Sequence, residues 1–330
     1  MQTFKELLSG KRKEFIKTGV TLLDLALGGG IVKNGIVNVY GDESTGKSLL
    51  AAQIGVQCQK QGGYLVYDDA EGTFDLHRGV KVIGIDPNKA FYRKSKTVEK
   101  LYEGLVSAIL KNKEENKFCL YVLDSLDALH TNISASVVEK ATKEAKKKGI
   151  EVEELDVSMR EKLDKSAVLS WLFSVLGNEL SDYGVTLLIV SQTRMKVGVV
   201  WGDKTDISGG KALKFYSSQR IKLTEIGKIK KGDVIVGVKV NAEVKKNKVA
   251  PPFRDADFSI YFDRGVDDVE SVVDFLKNNS DLLGGKGVYK YRVNKFKSKE
   301  SLVNYVKENE KVYKELCNWV KEIWNQKYNV

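Results

Sequence analysis

Eight consecutive residues, Gly41, Asp42, Glu43, Ser44, Thr45, Gly46, Lys47 and Ser48, carry the densest chemistry in the sequence. They match G-x-x-x-x-G-K-[ST], a pattern whose glycines let successive backbone N–H groups converge on phosphate oxygens. In it, Lys47 reaches the β- and γ-phosphates and the Ser48 hydroxyl ligates Mg²⁺. A magnesium–nucleotide site also needs a carboxylate at a strand end, and Asp124 closes the apolar run 118–123 in that way. Hydrolysis further needs a group to orient and deprotonate water. Asp68, Asp69 and Glu71 follow another apolar run, and Glu71 is the candidate general base; the alternative is that these acids are a solvated strand end. Gln192, just past a fourth apolar run, carries a neutral amide suited to sensing the γ-phosphate and reporting its loss to the following loop.

These groups act together only if the chain brings them to one sheet edge. Residues 36–40, 64–67, 118–123 and 185–190 read as near-continuous apolar strands, the pattern of strands buried on both faces. Helical stretches alternate with them, including 49–59 directly after the glycine-rich segment, which predicts a parallel sheet with crossover helices. In such a sheet the carboxyl ends of the strands share one edge, so Gly41, Asp68, Asp124 and Gln192 meet there. Leu163, Ala167, Trp171, Val175 and Leu176 recur at helical spacing and read as a packing stripe. After Lys211 the pattern changes: 220–223, 234–240, 242–245 and 258–262 read as strands of an antiparallel extension. From about Val266 the chain becomes a small α+β unit closed by a helix from near Ser298, with Tyr313, Leu316, Val320 and Ile323 on one face. The mixed-charge stretch 132–156 reads as a mobile surface insertion.

Composition narrows the function. With 42% hydrophobic and 30% charged residues, the chain of 330 reads as soluble and globular. Its 54 Lys and Arg against 44 Asp and Glu leave +10, which suits a polyanionic partner. No apolar run approaches membrane-spanning length and residues 1–17 are too polar for a secretory signal, so a cytoplasmic protein is expected. Cys58, Cys119 and Cys317 are scattered, which argues against disulfides or a zinc site. His77 and His130 are the only histidines, which excludes a histidine-rich catalytic or metal constellation.

Thr18-Gly19 and 23–28 before the phosphate motif, the stretch 192–198 continued at 209–216, and 244–253 together resemble the bacterial and phage RecA family of recombinases. The resemblance covers roughly 16–265. It implies a RecA-like P-loop ATPase core with a mainly parallel central sheet, an antiparallel extension and a small α+β C-terminal domain. The expected division is a short segment 1–15 with a subunit contact, the core 16–265, and a C-terminal domain 266–330 touching duplex DNA. The implied activity is ATP- and Mg²⁺-dependent: a helical homo-oligomeric filament on single-stranded DNA that pairs and exchanges strands with homologous duplex DNA. By similarity, residues 194–211 form the second DNA-binding loop, with Arg194, Met195, Lys196, Val197, Gly198, Trp201, Gly209, Gly210 and Lys211 at the DNA. Basic groups, glycines and apolar wedges there suit backbone binding. Phe215 would contact a neighbouring subunit and relay nucleotide state. Lys246 and Lys248 would reach across the interface to the γ-phosphate in place of an arginine finger; read alone, they are an exposed charge cluster.

Departures from the family shape the expectations too. The adenine-stacking tyrosine is replaced near Arg78, while Asp75 and Phe262 match positions at the base. Residues 130–165, the region of the first DNA loop, are longer than usual, with Arg160, Lys162 and Lys165 as candidates. The segment before Thr18 is short for a filament-assembly arm, and residues 4–8 would do part of that work. Thr224, Glu225, Asn241 and Glu243 stand where the family carries basic residues for the incoming duplex, which moves that role toward Lys228, Lys230 and Lys231. An acidic tail finds no match in 325–330. Residues 284–299 hold six basic residues and no acid, interleaved with Tyr289, Tyr291 and Phe296: either a nucleic-acid surface or a strand with a solvated basic face and an aromatic inner one. Two other readings stand beside the recombinase: a DNA-coating or mediator protein with weak turnover, and a ring helicase of the same superfamily.

Overall fold

The computed structural model describes residues 13–131, 154–195, 205–207, 210–285 and 287–328. Strands β1 (Phe15–Ile16) and β2 (Ile31–Val32) pair antiparallel around helix α1 (Thr21–Leu27). Then follow β3 (Ile36–Gly41), α2 (Lys47–Lys60), β4 (Tyr64–Asp69), β5 (Ala90–Arg93), α3 (Val98–Glu115), β6 (Cys119–Asp124), α4 (Glu154–Asp182) and β7 (Val185–Met195). Next come β8 (Thr205–Ile207), α5 (Gly210–Tyr216), β9 (Gln219–Lys231), β10 (Val234–Asn247), β11 (Asp255–Tyr261) and β12 (Gly265–Asp267). The described chain closes with α6 (Asp268–Asn279), the hairpin β13 (Tyr289–Tyr291) and β14 (Asn294–Phe296), α7 (Lys299–Glu308) and α8 (Glu310–Tyr328).

The main sheet has the order β12-β11-β10-β9-β3-β7-β6-β4-β5, with β8 on β7. From β9 to β5 the strands run parallel, and from β9 to β12 they run antiparallel. This is the expected α/β architecture. Because side chains alternate along a strand, each central strand feeds two cores. Val37, Val39, Leu65, Val122 and Leu188 pack with α2, while Ile36, Tyr64, Tyr121, Leu123 and Leu187 pack with α3 and α4. That double burial is why these strands are apolar at nearly every position. The first cluster continues without a break through Val272, Leu276, Leu302, Leu316, Val320 and Trp324, so α6, α7 and α8 share a core with α1 and the sheet.

Several elements differ from the sequence reading. The buried face of α4 is Leu169, Leu172, Phe173, Leu176 and Leu180, whereas Trp171 is 53% exposed and rests on Tyr102. The closing helix is two, divided at Asn309, and its buried line is Val312, Leu316, Val320 and Trp324. The separate runs 234–240 and 242–245 are one strand, β10, bent by irregular register rather than broken. The stretch 132–156 lies outside the described residues except for the start of α4 at Glu154.

A candidate nucleotide cleft and its surroundings

The glycine-rich turn follows from close approach. A Cβ on Gly41 would lie 2.3 Å from the Leu223 carbonyl oxygen, and one on Gly46 would lie 2.4 Å from the Ile260 side chain. Gly46 also has φ 82°, the left-handed region that favours glycine. Within the turn, the Thr45 hydroxyl donates to the Asp42 carbonyl at 2.9 Å and the Lys47 ammonium donates to the same oxygen. No side chain caps α2, so the first-turn amides remain available to an anion. Burial lowers the pKa of Lys47, with Asp124, Asp42 and Glu71 pulling the other way.

Asp124, at the end of β6, accepts from the Tyr67 hydroxyl at 2.6 Å and from the Ser48 side chain, and burial raises its pKa. The Asp124–Ser125 peptide is cis. Ser48 and Asp124 thus present a hydroxyl and a carboxylate oxygen side by side, a hard donor pair that fits Mg²⁺ held partly by phosphates and water. Among the described residues no cluster of three or more acidic, His or Cys side chains offers an all-protein cage instead.

The acids after β4 divide. Asp68 is fully buried and accepts from the Ser95 amide and hydroxyl at 2.7 and 2.6 Å and from the Tyr121 hydroxyl at 2.5 Å. Asp69 is also buried, holding the Gly72, Thr73 and Phe74 amides and the Tyr92 hydroxyl. Both are internal braces rather than a solvated strand end. Glu71 alone of these lines the cleft, with one oxygen taking the Ser125 hydroxyl. Gln192 lies inside β7, opposite Gly41, and its backbone N–H donates to the Asp127 carboxylate at 2.8 Å.

Lys47, Ser48, Glu71, Asp124 and Gln192 share one cleft of about 810 Å³. Asp75, Arg78 and Phe262 form another of its walls: Asp75 caps the Arg78 amide, and the Arg78 guanidinium donates to the Phe262 carbonyl at 3.0 Å. Glu43, Ser44 and Gly46 complete the phosphate side; Asp42 and Thr45 shape the turn without lining the cleft, and Asp42 also receives the Thr193 hydroxyl. Sequence reasoning missed Ser125, Asp127 and the cleft positions of Glu225 and Lys228. Their signal lies in strand phase and turn geometry, not in a motif.

Other expected residues lie apart from the cleft. Lys246 donates to the Lys214 and Phe215 carbonyls at 2.7 and 2.8 Å, closing the C-terminus of α5; Phe215 is 71% exposed beside it. Lys248 is exposed at the end of β10. Burial, then Lys248 and Arg220, lower the pKa of Lys246. Arg194 and Met195 end β7 and pair with Asp206 and Thr205 of β8; Gly210 and Lys211 open α5. Lys196, Val197, Gly198, Trp201 and Gly209 lie outside the described residues. Lys165 donates to the Leu126 carbonyl at 2.8 Å, and Arg160 and Lys162 fall within α4. Asn241 binds Asp255 and Asp257, and Glu243 holds Lys245, so this face of β10 is acidic and internally satisfied. Near 284–299 the aromatic rings turn inward: Tyr291 packs on Tyr305 and Trp319, and Phe296 on Tyr305. No helix among the described residues is long and apolar enough to cross a membrane.

The family model of the RecA N-terminal domain matches residues 7–267. Protein RecA of Malacoplasma penetrans is 32% identical over 92% of this chain and 86% of its own length. Protein RecA of Acinetobacter baylyi is 32% identical over 94% and 82%, and that of Synechococcus sp. 32% over 86% and 69%. A family match across most of the chain, over a parallel sheet whose edge carries the phosphate motif, places the chain in the RecA family.

Proposed function

We propose that the chain is an ATP-dependent DNA recombinase, which assembles head to tail as a helical filament on single-stranded DNA and pairs it with homologous duplex. Hydrolysis of ATP is DNA-dependent and times release of the DNA. The observation that carries this reading is the convergence of Lys47, Ser48, Glu71, Asp124 and Gln192 on one cleft in a RecA-family chain. Lys47 and the first-turn amides of α2 bind the phosphates, and Ser48 and Asp124 hold Mg²⁺. When bound, the metal offsets charge developing on the transferred phosphoryl oxygens. Glu71, steadied by Ser125, takes the proton of the attacking water. Gln192 reports the γ-phosphate to the loop that follows β7. Asp75, Arg78 and Phe262 hold the base end, the guanidinium plane replacing an aromatic stack.

In the same reading Lys246 and Lys248 act on a neighbour's γ-phosphate and Phe215 touches that neighbour. Arg194, Lys196, Lys211 and the Gly209–Gly210 amides hold DNA phosphates, with Met195 and Trp201 as wedges between bases. The unit 266–330 meets duplex DNA, residues 1–15 contribute a subunit contact, and the setting is cytoplasmic. Strand exchange between circular single-stranded and linear duplex DNA tests the proposal, with ATP and with a non-hydrolysable analogue. Joint molecules that require nucleotide are expected. Coated single strands that never pair would identify a coating protein instead.

A further inference from the structure

Strand β9 changes phase at Ile226. Up to Glu225 its odd-numbered residues face the core: Ile221 and Leu223 are buried, and Glu225 stands opposite Val240. One extra residue, Ile226, then separates that pair from the next, Gly227 opposite Lys239. Such a bulge shifts the two-residue alternation by one. The next side chain on the cleft face is therefore Lys228, opposite Val238, where regular pairing would present Gly227 and Ile229. Val238 in turn pairs with Ile260, whose side chain packs against Gly46 of the phosphate turn. Two strand spacings of about 4.8 Å separate Lys228 from Ile260, a distance comparable with the reach of a four-carbon stem.

Lys228 lines the same cleft as Lys47, Ser48 and Glu71. Among the described residues its ammonium has neither a hydrogen bond nor an ion pair, and Glu225, on the same wall, does not hold it. We propose that Lys228 is a phosphate-binding cation supplied from within the protomer to the nucleotide held at Lys47, aimed there by the Ile226 bulge. This rests on the nucleotide reading of the cleft. It takes Lys228 away from the basic cluster with Lys230 and Lys231, which comparison with the family groups as the place of the incoming duplex.

Titration of the DNA-free protein with a fluorescent non-hydrolysable ATP analogue tests this. Lys228→Ala is expected to weaken binding about tenfold, the scale of one charge-assisted contact, while Lys228→Arg retains it and the charge-matched Lys230→Ala changes it by less than about twofold. Single-stranded DNA binding at saturating analogue stays unchanged in Lys228→Ala. Normal analogue affinity in Lys228→Ala overturns the proposal, and a loss confined to DNA affinity assigns the residue to nucleic acid. An equal loss in Lys230→Ala also overturns it, by revealing a general field rather than a contact. Lys47→Ala separates the two levels. If it too binds analogue normally, the nucleotide reading of the cleft fails; if it loses binding while Lys228→Ala does not, only the Lys228 assignment falls.

Discussion

Asp68, Asp69 and Glu71 stand within four residues of one another, and the donors each one faces separate their roles. The first two are buried and held by amides and hydroxyls in the interior, out of reach of water in the cleft. Among the described residues, the Glu71 carboxylate accepts from the Ser125 hydroxyl alone and opens on the cleft. Glu71→Gln is therefore expected to slow DNA-stimulated hydrolysis by about 10²–10⁴-fold with analogue affinity intact. Unchanged turnover would remove Glu71 from the role of base. A second carboxylate gives a pH prediction. Asp24 accepts from the Thr18 amide and hydroxyl at 2.8 and 2.9 Å, yet burial raises its pKa from 3.8 to about 6. Between those values the folded state binds more protons than the unfolded one, so this group's stabilising contribution is full below about pH 3.8 and is lost as pH rises through about 6. The shift corresponds to about 3 kcal/mol. Asp24→Asn keeps the acceptor without the charge. Denaturant unfolding at stepped pH should therefore show the variant gaining on the parent from pH 4 to 6 and holding that advantage above. A constant difference across that range would show that Asp24 titrates alike folded and unfolded.

The turn after β6 joins two elements that lead toward the expected DNA loops. Lys165 of α4 donates to the Leu126 carbonyl, and one residue further on the Asp127 carboxylate accepts from the Gln192 backbone amide of β7. Asp127→Ala leaves that amide without its acceptor, at a cost of about 1–3 kcal/mol. Hydrogen exchange at 191–193 should accelerate while exchange in α2 stays unchanged; equal protection in both proteins would mean the bond does not hold β7 in place. Asp127 is invisible in the sequence because an acid three residues past the end of an apolar strand looks like any polar turn. What was legible follows from burial. β3, β4 and β6 declare themselves because both of their faces are covered, and the phosphate motif is confined to types that tolerate the Leu223 and Ile260 contacts. β5 is not legible because it is an edge strand with Phe91 and Tyr92 exposed, so neither composition nor alternation marks it. In α4 the aromatic at helical spacing misled: Trp171 lies beside the buried line, resting on Tyr102. The cleft-side position of Lys228 is not legible because a bulge reverses which side of β9 a residue occupies, and bulges leave no reliable trace in residue types.

Across the whole molecule the net charge of +10 says little until its members are located. Lys228 faces the cleft, Lys245 is held by Glu243, and Lys246 is tied to the end of α5. Lys248 is exposed, its backbone N–H donates to the Ser218 carbonyl just past α5, and it does not line the cleft of its own protomer. Lys246 is already disfavoured in its charged form by burial and by Lys248 and Arg220, so an anion arriving from a second protomer would relieve that repulsion. This geometry makes a subunit-crossing role testable without a structure of the assembly. Lys248→Ala should bind the ATP analogue normally as a protomer, yet lose about a thousandfold or more of DNA-stimulated hydrolysis, as expected for a trans cation. Mixing decides the matter. Lys248→Ala keeps an intact Glu71, and Glu71→Gln keeps an intact Lys248, so where the second inserts its lysine into the cleft of the first, every group is present. In randomly mixed head-to-tail filaments at equal amounts, about a quarter of the interfaces have that arrangement. Hydrolysis should thus recover to about a quarter of the parental rate although each variant alone is nearly inactive. Recovery requires that the two groups serve one cleft from different chains; a mixture as inactive as its components would mean that Lys248 works within its own protomer.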